Sequence, residues 1–405
     1  MSEAVFSRLR HLLGERGIER DATGLPRAVP ETSEAVAAVC RLAMEEGWRI
    51  RIEGRSTWLP PDAPAQVVLS LKGMDQIPSI SPADLVATVE AGVTLENLRR
   101  HLDDHGMWLA VDPPGRSDRT IGSIVATGTS GPLRLGMGPV RDHILGGTFV
   151  TGDGRIITGG SRVVKNVAGY DITKLQVGGF GGFGIMTQFN IRLRSKARAD
   201  ITLTTGGNRD DLLVAARAIL QASLSPAALE LLSPAMAAGA QWVLAIRLLG
   251  PVEAVQSDIE RLAADSGLAW ETLPAERSGA FWTLTARAAL SGLVTLRLGA
   301  LPVGLDETLD LVVTELDEGL ISAGAGDGTI RWTGNATPDQ IHHLRRISAA
   351  REIPLTLERA PWNIRQATGH FGAYREGVGQ LVERLRLTYD PSQIFSVALE
   401  GSQHE

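Results

Sequence analysis

Cysteine is nearly missing from this 405-residue chain. With Cys40 alone, there can be no internal disulfide, no all-cysteine zinc site and no iron–sulfur cluster held by this chain by itself. An excess of positive charge is missing too. The net charge of −6 gives no support for a nucleic-acid surface. No apolar run approaches the roughly 20 residues that span a membrane. The N-terminal MSEAVFSRLRHLLGERG mixes Glu with Arg and has no signal-peptide core. These absences point to a cytoplasmic protein with no direct membrane insertion; any membrane association would run through a partner. Two nucleotide motifs are also lacking. There is no G-x-x-x-x-G-K-[ST], and no G-x-G-x-x-G that follows a strand and opens a helix. FGGFG (180–184) comes nearest, but a strand-like segment follows it, which argues against a P-loop enzyme and a standard dinucleotide fold.

What is abundant is glycine, and it is unevenly placed. Of 45 glycines, 18 fall in residues 115–184. Glycine costs about 0.5–1 kcal/mol inside helices and strands, so such crowding implies tight turns or backbone that must approach a ligand closely. Apolar pieces (ILGGTFV, RIITGG, FGIMTQFNIRL) run through the stretch and imply a folded cleft rather than disorder. Length predicts two or three domains.

Read in order, Val5, Leu9, Leu12 and Leu13 mark a short amphipathic helix. Ser33 is a candidate cap for a helix whose stripe runs through Val36, Val39, Cys40 and Met44 and stops at Gly47. Cys40 on that stripe reads as a core thiol. WRIRI (48–52) and QVVLSL (66–71) read as strands. The turn between them carries Gly54, Ser56 and Thr57, which can point N–H groups and hydroxyls at a phosphate or be a plain loop. LVATVEAG (85–92) reads as a strand, 94–106 as a helix capped by Thr94, and MWLAVDPP (107–114) as a strand. Two βαβ-like modules would thus present loops 53–58 and 113–131 to one ligand.

These pieces together resemble the FAD-binding domain of the vanillyl-alcohol oxidase family, the PCMH-type fold. The resemblance rests on Gly54-Arg55-Ser56-Thr57, on Thr120-Ile121-Gly122-Ser123 continuing to Thr127, and on Ser130-Gly131-Pro132. It extends through Gly138-Pro139-Val140-Arg141-Asp142, Gly152-Asp153-Gly154, Gly169-Tyr170-Asp171 and Gly181-Gly182-Phe183-Gly184-Ile185. VVKNVAGYD (163–171) and the length are most similar to FAD-binding subunits of glycolate oxidases. The resemblance implies that Gly54, Arg55, Ser56 and Thr57 take the pyrophosphate side, with Trp58 beside them. Thr120, Ile121, Gly122 and Ser123 would pass along the phosphates and ribityl chain, and Gly184 and Ile185 would hold the adenine or ring end. Pro114, Thr127, Ser130 and Gly131 complete the implied contacts. Lys165 would lie near the flavin or be a salt-bridged surface lysine. Some family members bond the flavin to a histidine in the first loop. No histidine or cysteine lies in 53–58, so the FAD is expected to be non-covalent.

From 200 to 358 the pattern reads β-α-β-β-α-β twice, with 278–289 as connector. Two ferredoxin-like units joined in one antiparallel sheet would cap the flavin. Residues 374–395 resemble the family's terminal helix and its F-D-P-x-x-I-F segment, here Tyr389-Asp390-Pro391-Ser392-Gln393-Ile394-Phe395. The family continues N-P-G-[RK]; this chain has Ser396-Val397-Ala398. The expected fold is therefore α+β. A PCMH-type FAD-binding domain of two α/β subdomains would span 22–196, a duplicated cap 197–373, and a returning tail 374–405.

Catalytic residues are not assigned. The related catalytic enzymes carry a histidine-rich G-H-x-G-D-G-N-x-H and a later E-H-G, and this chain has neither. GAGDGTIRW (324–332) has a Gly-Asp-Gly without a histidine. His342 and His343 read as a solvated helix face or a ligand pair, His370 as a candidate base, and Arg297 and Arg331 as carboxylate anchors or surface arginines. No metal site is expected. The implied function is an FAD-binding oxidoreductase subunit of a glycolate or 2-hydroxy-acid dehydrogenase complex. A second flavoprotein subunit and an iron–sulfur subunit would be its partners. The alternatives are a self-sufficient oxidase or dehydrogenase of a small hydroxy acid or alcohol, and a flavin-free structural subunit.

Overall fold

The structure is a computed structural model, and it describes residues 2–160, 172–222, 224–372 and 374–399. Lys165, Asn166, Tyr170 and Asp171 lie outside the described residues.

The N-terminal half builds two small sheets. In the first, Pro26–Ala28, Val67–Ser70 and Ile50–Glu53 lie side by side in parallel, with Ile18–Arg20 antiparallel at one edge. The helix Ser33–Glu46 packs its buried Val36, Val39, Cys40 and Ala43 into the core. Its cap is Thr32, whose side chain accepts from the Ala35 N–H, and not Ser33; Ser33 instead bonds to Thr187 at 2.8 Å. Gly47 ends the helix in the left-handed region at φ 67°. Cys40 is fully buried, and burial pushes its thiol pKa far up. The second sheet has the order Ser79–Ser81, Val86–Glu90, Ile185–Arg192, Ile144–Val150, Ile156–Gly160 and is antiparallel throughout.

Three sequence expectations differ in detail. Leu12 faces solvent at 40% exposure, while Val5 and Leu9 bury. The strand expected at 107–114 pairs only over Met107–Trp108. Beyond it the chain is irregular: Pro113 and Pro114 have no N–H for a ladder, and Asp112 turns to accept from the Leu133 N–H. Residues 113–131 are not all loop, since Ile121–Thr127 is a helix capped by Thr120.

The second half is one eight-stranded antiparallel sheet. Its order is Glu271–Leu273, Ala199–Gly207, Trp242–Gly250, Ala228–Leu232, Leu320–Gly324, Thr329–Gly334, Val294–Gly299, Leu355–Arg359. Each run of four has the ferredoxin-like order, and the two runs join where Ala228–Leu232 pairs with Leu320–Gly324. One face is covered by the helices Arg209–Gln221, Val252–Asp265, Leu305–Glu315 and Pro338–Ala350, which share an aliphatic core with it. The other face carries Thr202, Arg297, Arg331, Glu230 and Glu358, all turned toward the N-terminal half or the connector. That connector is a helix, Ala275–Ala288. Its Trp282 indole donates to Thr202 Oγ1 at 2.8 Å.

The tail runs back to the first sheet. After the helix Val378–Tyr389, the Asp390 carboxylate accepts from the Ile394 and Phe395 N–H groups at 2.9 and 3.0 Å. Phe395 then bridges in parallel to Ile50. The segment that lacks N-P-G therefore still docks beside the strand leading into the first loop.

Candidate functional site

Between the first loop, the helix Ile121–Thr127 and the strand start at Ile185 lies a cleft partly open to solvent. Gly54, Arg55, Ser56, Thr57 and Trp58 line it from one side. Thr120, Gly122, Ser123 and Thr127 line it from a second, and Gly184 and Ile185 from a third. Loops far apart in the sequence thus meet at one place.

The first loop is shaped for close approach. Ile50–Glu53 delivers the chain directly to Gly54, where an added Cβ would stand 2.3 Å from the Thr120 hydroxyl oxygen. Ser56 follows in the left-handed region at φ 54°, a conformation that costs a non-glycine residue roughly 1–2 kcal/mol. Among the described residues, the backbone N–H groups of Arg55, Ser56 and Thr57 and the Ser56 and Thr57 hydroxyls engage no hydrogen-bond partner. Arg55 is exposed and Ser56 and Thr57 are partly buried, so these donors are left for water or a ligand to satisfy. Arg55 stands exposed beside them and pairs with no carboxylate among the described residues. The other cleft arginines are neutralised. Arg51 is buried between Asp21 at 2.6 Å and Glu53 at 2.7 Å. Arg365 pairs with Asp62 at 2.5 Å.

The second side is fixed by caps. Thr120 Oγ1 accepts from the Ser123 N–H at 3.2 Å. A Cβ on Gly122 would meet the Ala91 carbonyl at 2.9 Å. Behind them sits Arg119, fully buried. It donates to the Pro114 carbonyl at 2.6 Å and to Thr127 Oγ1 at 2.9 Å. Its guanidinium also lies 4.5 Å from the Trp58 ring centroid. Burial lowers its pKa to about 9.

Four of the implied contacts fall elsewhere. Ile121 is buried in the core, its N–H donating to the Val93 carbonyl at 2.8 Å. Pro114 and Gly131 line a separate small cavity against the cap sheet. Ser130 Oγ accepts from the Val140 N–H at 3.1 Å, and its carbonyl accepts from Arg331 at 2.9 Å. These residues hold the two halves together, because Asp112 turns the chain away from the cleft before them. Lys165 lies outside the described residues.

The candidate catalytic groups resolve differently. Arg297 and Arg331 sit directly opposite one another on paired strands. Both are bound by Glu358, at 3.0 Å and 2.8 Å, so they are neither surface arginines nor free anchors. His370 does line the cleft. Its Nδ1–H donates to the Leu357 carbonyl at 2.7 Å, and its ring stacks on Phe180 at 3.7 Å. Burial drops its pKa to about 3. The imidazole therefore stays neutral at working pH and is a weak proton acceptor. His343 is half exposed and meets Glu315 at 3.0 Å. Asp327, within the Gly-Asp-Gly, pairs with Arg134 at 3.4 Å. Among the described residues no group of three or more His, Cys, Asp or Glu is placed to hold a metal ion.

Sequence reasoning missed Arg119, Gln176, Phe180, Arg365 and Val397. Arg119 adjoins the Thr120 motif but reads like any turn arginine. Phe180 and Gln176 sit within the glycine stretch, and nothing in their spacing sets them apart. Arg365 and Val397 reach the cleft from the far end of the chain.

These features fit a dinucleotide cofactor. Unengaged N–H and hydroxyl donors with a free arginine suit a pyrophosphate. The slot bounded by Trp58, Phe180, Ile185, Met186 and Val397 suits a flat ring. Comparison with known proteins agrees. Residues 27–160 match the FAD binding domain family. Over 248 residues the chain is 32% identical to glycolate oxidase subunit GlcD of Bacillus subtilis, covering 57% of this chain and 53% of that protein. Over 128 residues it is 37% identical to glycolate oxidase subunit GlcE of Escherichia coli, covering 31% and 37%. A D-lactate dehydrogenase of Archaeoglobus fulgidus is 34% identical over 178 residues, covering 43% and 39%. The matches thus span about half or less of these relatives' lengths. In fold, the chain superimposes on an alkyldihydroxyacetonephosphate synthase with TM-score 0.74 at 14% identity, covering 97% of this chain and 84% of that one. It superimposes on the 4-ethylphenol oxidase of Gulosibacter chungangensis with TM-score 0.72, covering 98% and 97%.

The N-terminal half is a PCMH-type FAD-binding domain on an α+β scaffold. Residues 27–160 belong to the FAD binding domain family, and over part of its length the chain is similar to glycolate oxidase subunits and a D-lactate dehydrogenase.

Proposed function

We propose that this chain is the FAD-binding subunit of a complex that oxidises glycolate or another small 2-hydroxy acid, with electrons leaving for a second flavoprotein subunit and an iron–sulfur subunit. The observation that carries the reading is the set of unengaged donors at 55–57 facing Thr120 and Ser123 across the cleft. When bound, FAD supplies the two-electron acceptor for substrate oxidation. The chain's residues do the rest. Arg55, Ser56 and Thr57 bind the pyrophosphate, and Thr120 and Ser123 orient the phosphate and ribityl side. Gly184 and Ile185 shape the slot, and Trp58 and Phe180 exclude water from it. The first loop has no histidine or cysteine to bond covalently to the ring, and His370, at the cleft wall, is tied to the Leu357 carbonyl, which supports a non-covalently held cofactor.

Dependence on a partner is supported by the state of the candidate acid–base groups. Arg297 and Arg331 are both engaged by Glu358, and His370 is kept neutral and tied to Leu357. A substrate carboxylate would find neither cap arginine free. The test is twofold. The flavin-loaded lone chain should reduce a dye acceptor with glycolate or D-lactate poorly. From its native source it should co-purify with a flavoprotein chain and an iron–sulfur chain. Brisk turnover by the lone chain would replace this reading with a self-sufficient dehydrogenase. The chain's compartment follows that of such a complex. No helix among the described residues is long and apolar enough to cross a membrane.

A further inference from the structure

Residues 192–198 read RLRSKAR, four cations in seven positions, in a chain whose net charge is −6. The segment joins the N-terminal half to the cap sheet. It lines an open groove that shares no residue with the cleft. Lys196 is neutralised by Asp103 at 2.6 Å. Arg192, Arg194 and Arg198 are not: none makes an ion pair or side-chain hydrogen bond with a described residue, and Arg194 Nε is buried without an acceptor. Their unbalanced charge reaches inward. His143, buried below them, is held well below its ordinary pKa by burial and then by Arg194. The groove's floor is apolar, formed by Leu85, Trp108, Met137 and Leu249. At its lip the helix Val252–Asp265 begins after Pro251 with no side-chain cap, adding its positive end to the same field.

We propose that this groove docks an acidic segment of a partner polypeptide whose carboxylates are interspersed with aliphatic or aromatic side chains. Three arguments favour that occupant. Six residue steps of extended chain span up to ~20 Å, so the arginines are spread too far for one phosphate but suit a run of carboxylates. The half-buried Trp108 and its apolar neighbours give such a segment anchors that a bare polyanion could not use. A nucleic acid or an anionic bilayer would also face the net negative remainder of the chain. A short segment feels mainly the local field, which salt screens beyond about 8–10 Å. The inference does not rest on flavin binding.

The test uses the full chain and a fluorescein-labelled acidic peptide of glutamates with Trp and Leu at every third position, read by anisotropy. Binding is expected at low salt and should weaken steeply as salt rises. The triple variant Arg192→Glu, Arg194→Glu, Arg198→Glu should lose at least roughly tenfold in affinity, with melting temperature and flavin uptake unchanged. Should that variant fail to fold, Arg192→Ala and Arg198→Ala, both at exposed positions, should each weaken binding by roughly threefold, the scale of a single exposed ion pair. The proposal is overturned if the wild-type chain does not bind the peptide, or if the variants bind it as wild type does. It is also overturned if a peptide with Lys for Glu binds equally, or if phosphatidylglycerol vesicles or an oligonucleotide compete more tightly through the same arginines.

Discussion

The cleft and the cap sheet treat polar groups in opposite ways. At residues 55–57 the donors are backbone and hydroxyl groups without partners, on a loop whose glycine admits nothing larger. On the inner face of the cap sheet the polar groups are long charged side chains, and the arginines there are engaged. Glu358 binds Arg297 and Arg331, Arg331 also holds the Ser130 carbonyl, and the Trp58 indole donates to the Glu358 carbonyl at 3.1 Å. Unsatisfied donors mark where a ligand belongs, whereas a closed ion network marks an interface between halves. Residue type alone left both questions open, because the cap-strand arginines read as carboxylate anchors or surface arginines and the serine–threonine turn as a phosphate site or a plain loop.

The sharpest way to break this comparison is to open the network. Glu358→Ala leaves two arginines without their buried counter-ion and should cost about 3–5 kcal/mol of stability, seen as a large drop in the urea midpoint. A change below ~1 kcal/mol would mean the network is not closed. Burial alone would raise the Glu358 pKa, but Arg331 and then Arg297 outweigh it and hold the carboxyl below its usual range. Its contribution is therefore present above the unfolded carboxyl pKa of about 4.3 and is lost as pH falls through the lower folded value.

Glu230 sharpens the contrast from within the sheet. It bonds to Ser322 at 2.5 Å, and burial raises its pKa to about 8. In this case the folded state holds the proton more tightly. Stability should fall by on the order of a few kcal/mol as pH rises from about 4.5 to 8. Glu230→Gln should flatten that slope in urea titrations across the range; an unchanged slope would count against a protonated Glu230.

At the cleft the expected effects fall on binding and stability together. Gly54→Val drives a side chain into the buried Thr120 and should weaken FAD by at least roughly tenfold, about 1.4 kcal/mol, while lowering the flavin-free melting temperature because Thr120 must shift from its capping position. Equilibrium dialysis of FAD checks it, and unchanged affinity would remove Gly54 from the site. The smallest effect is expected for Thr120→Ala. Losing the cap of Ile121–Thr127 should cost about 1 kcal/mol and weaken FAD only modestly, whereas Thr120→Ser should restore both.

Much of the fold was legible because the local signals were strong. The alternation in the second half gave both ferredoxin-like units, and the motif order gave the flavin domain. The interfaces were less legible. Glu358 follows Leu355 and Leu357 on a strand where period-2 alternation places it off the aliphatic face, but nothing in LTLER shows that this other face is buried against Trp58 and Ser130. In the same way, Pro114, Ser130 and Gly131 match the family pattern by position, yet the turn at Asp112 carries them to the cap. Only the distant pairing of strands decides such cases.

The most direct measurement is the visible spectrum of the purified chain, before and after acid precipitation, with and without added FAD. The account predicts flavin bands near ~375 and ~450 nm that leave with the supernatant and are weakened in Gly54→Val. A colourless chain that takes up no FAD would contradict it, making the open donors at 55–57 a vestige and the chain a structural subunit.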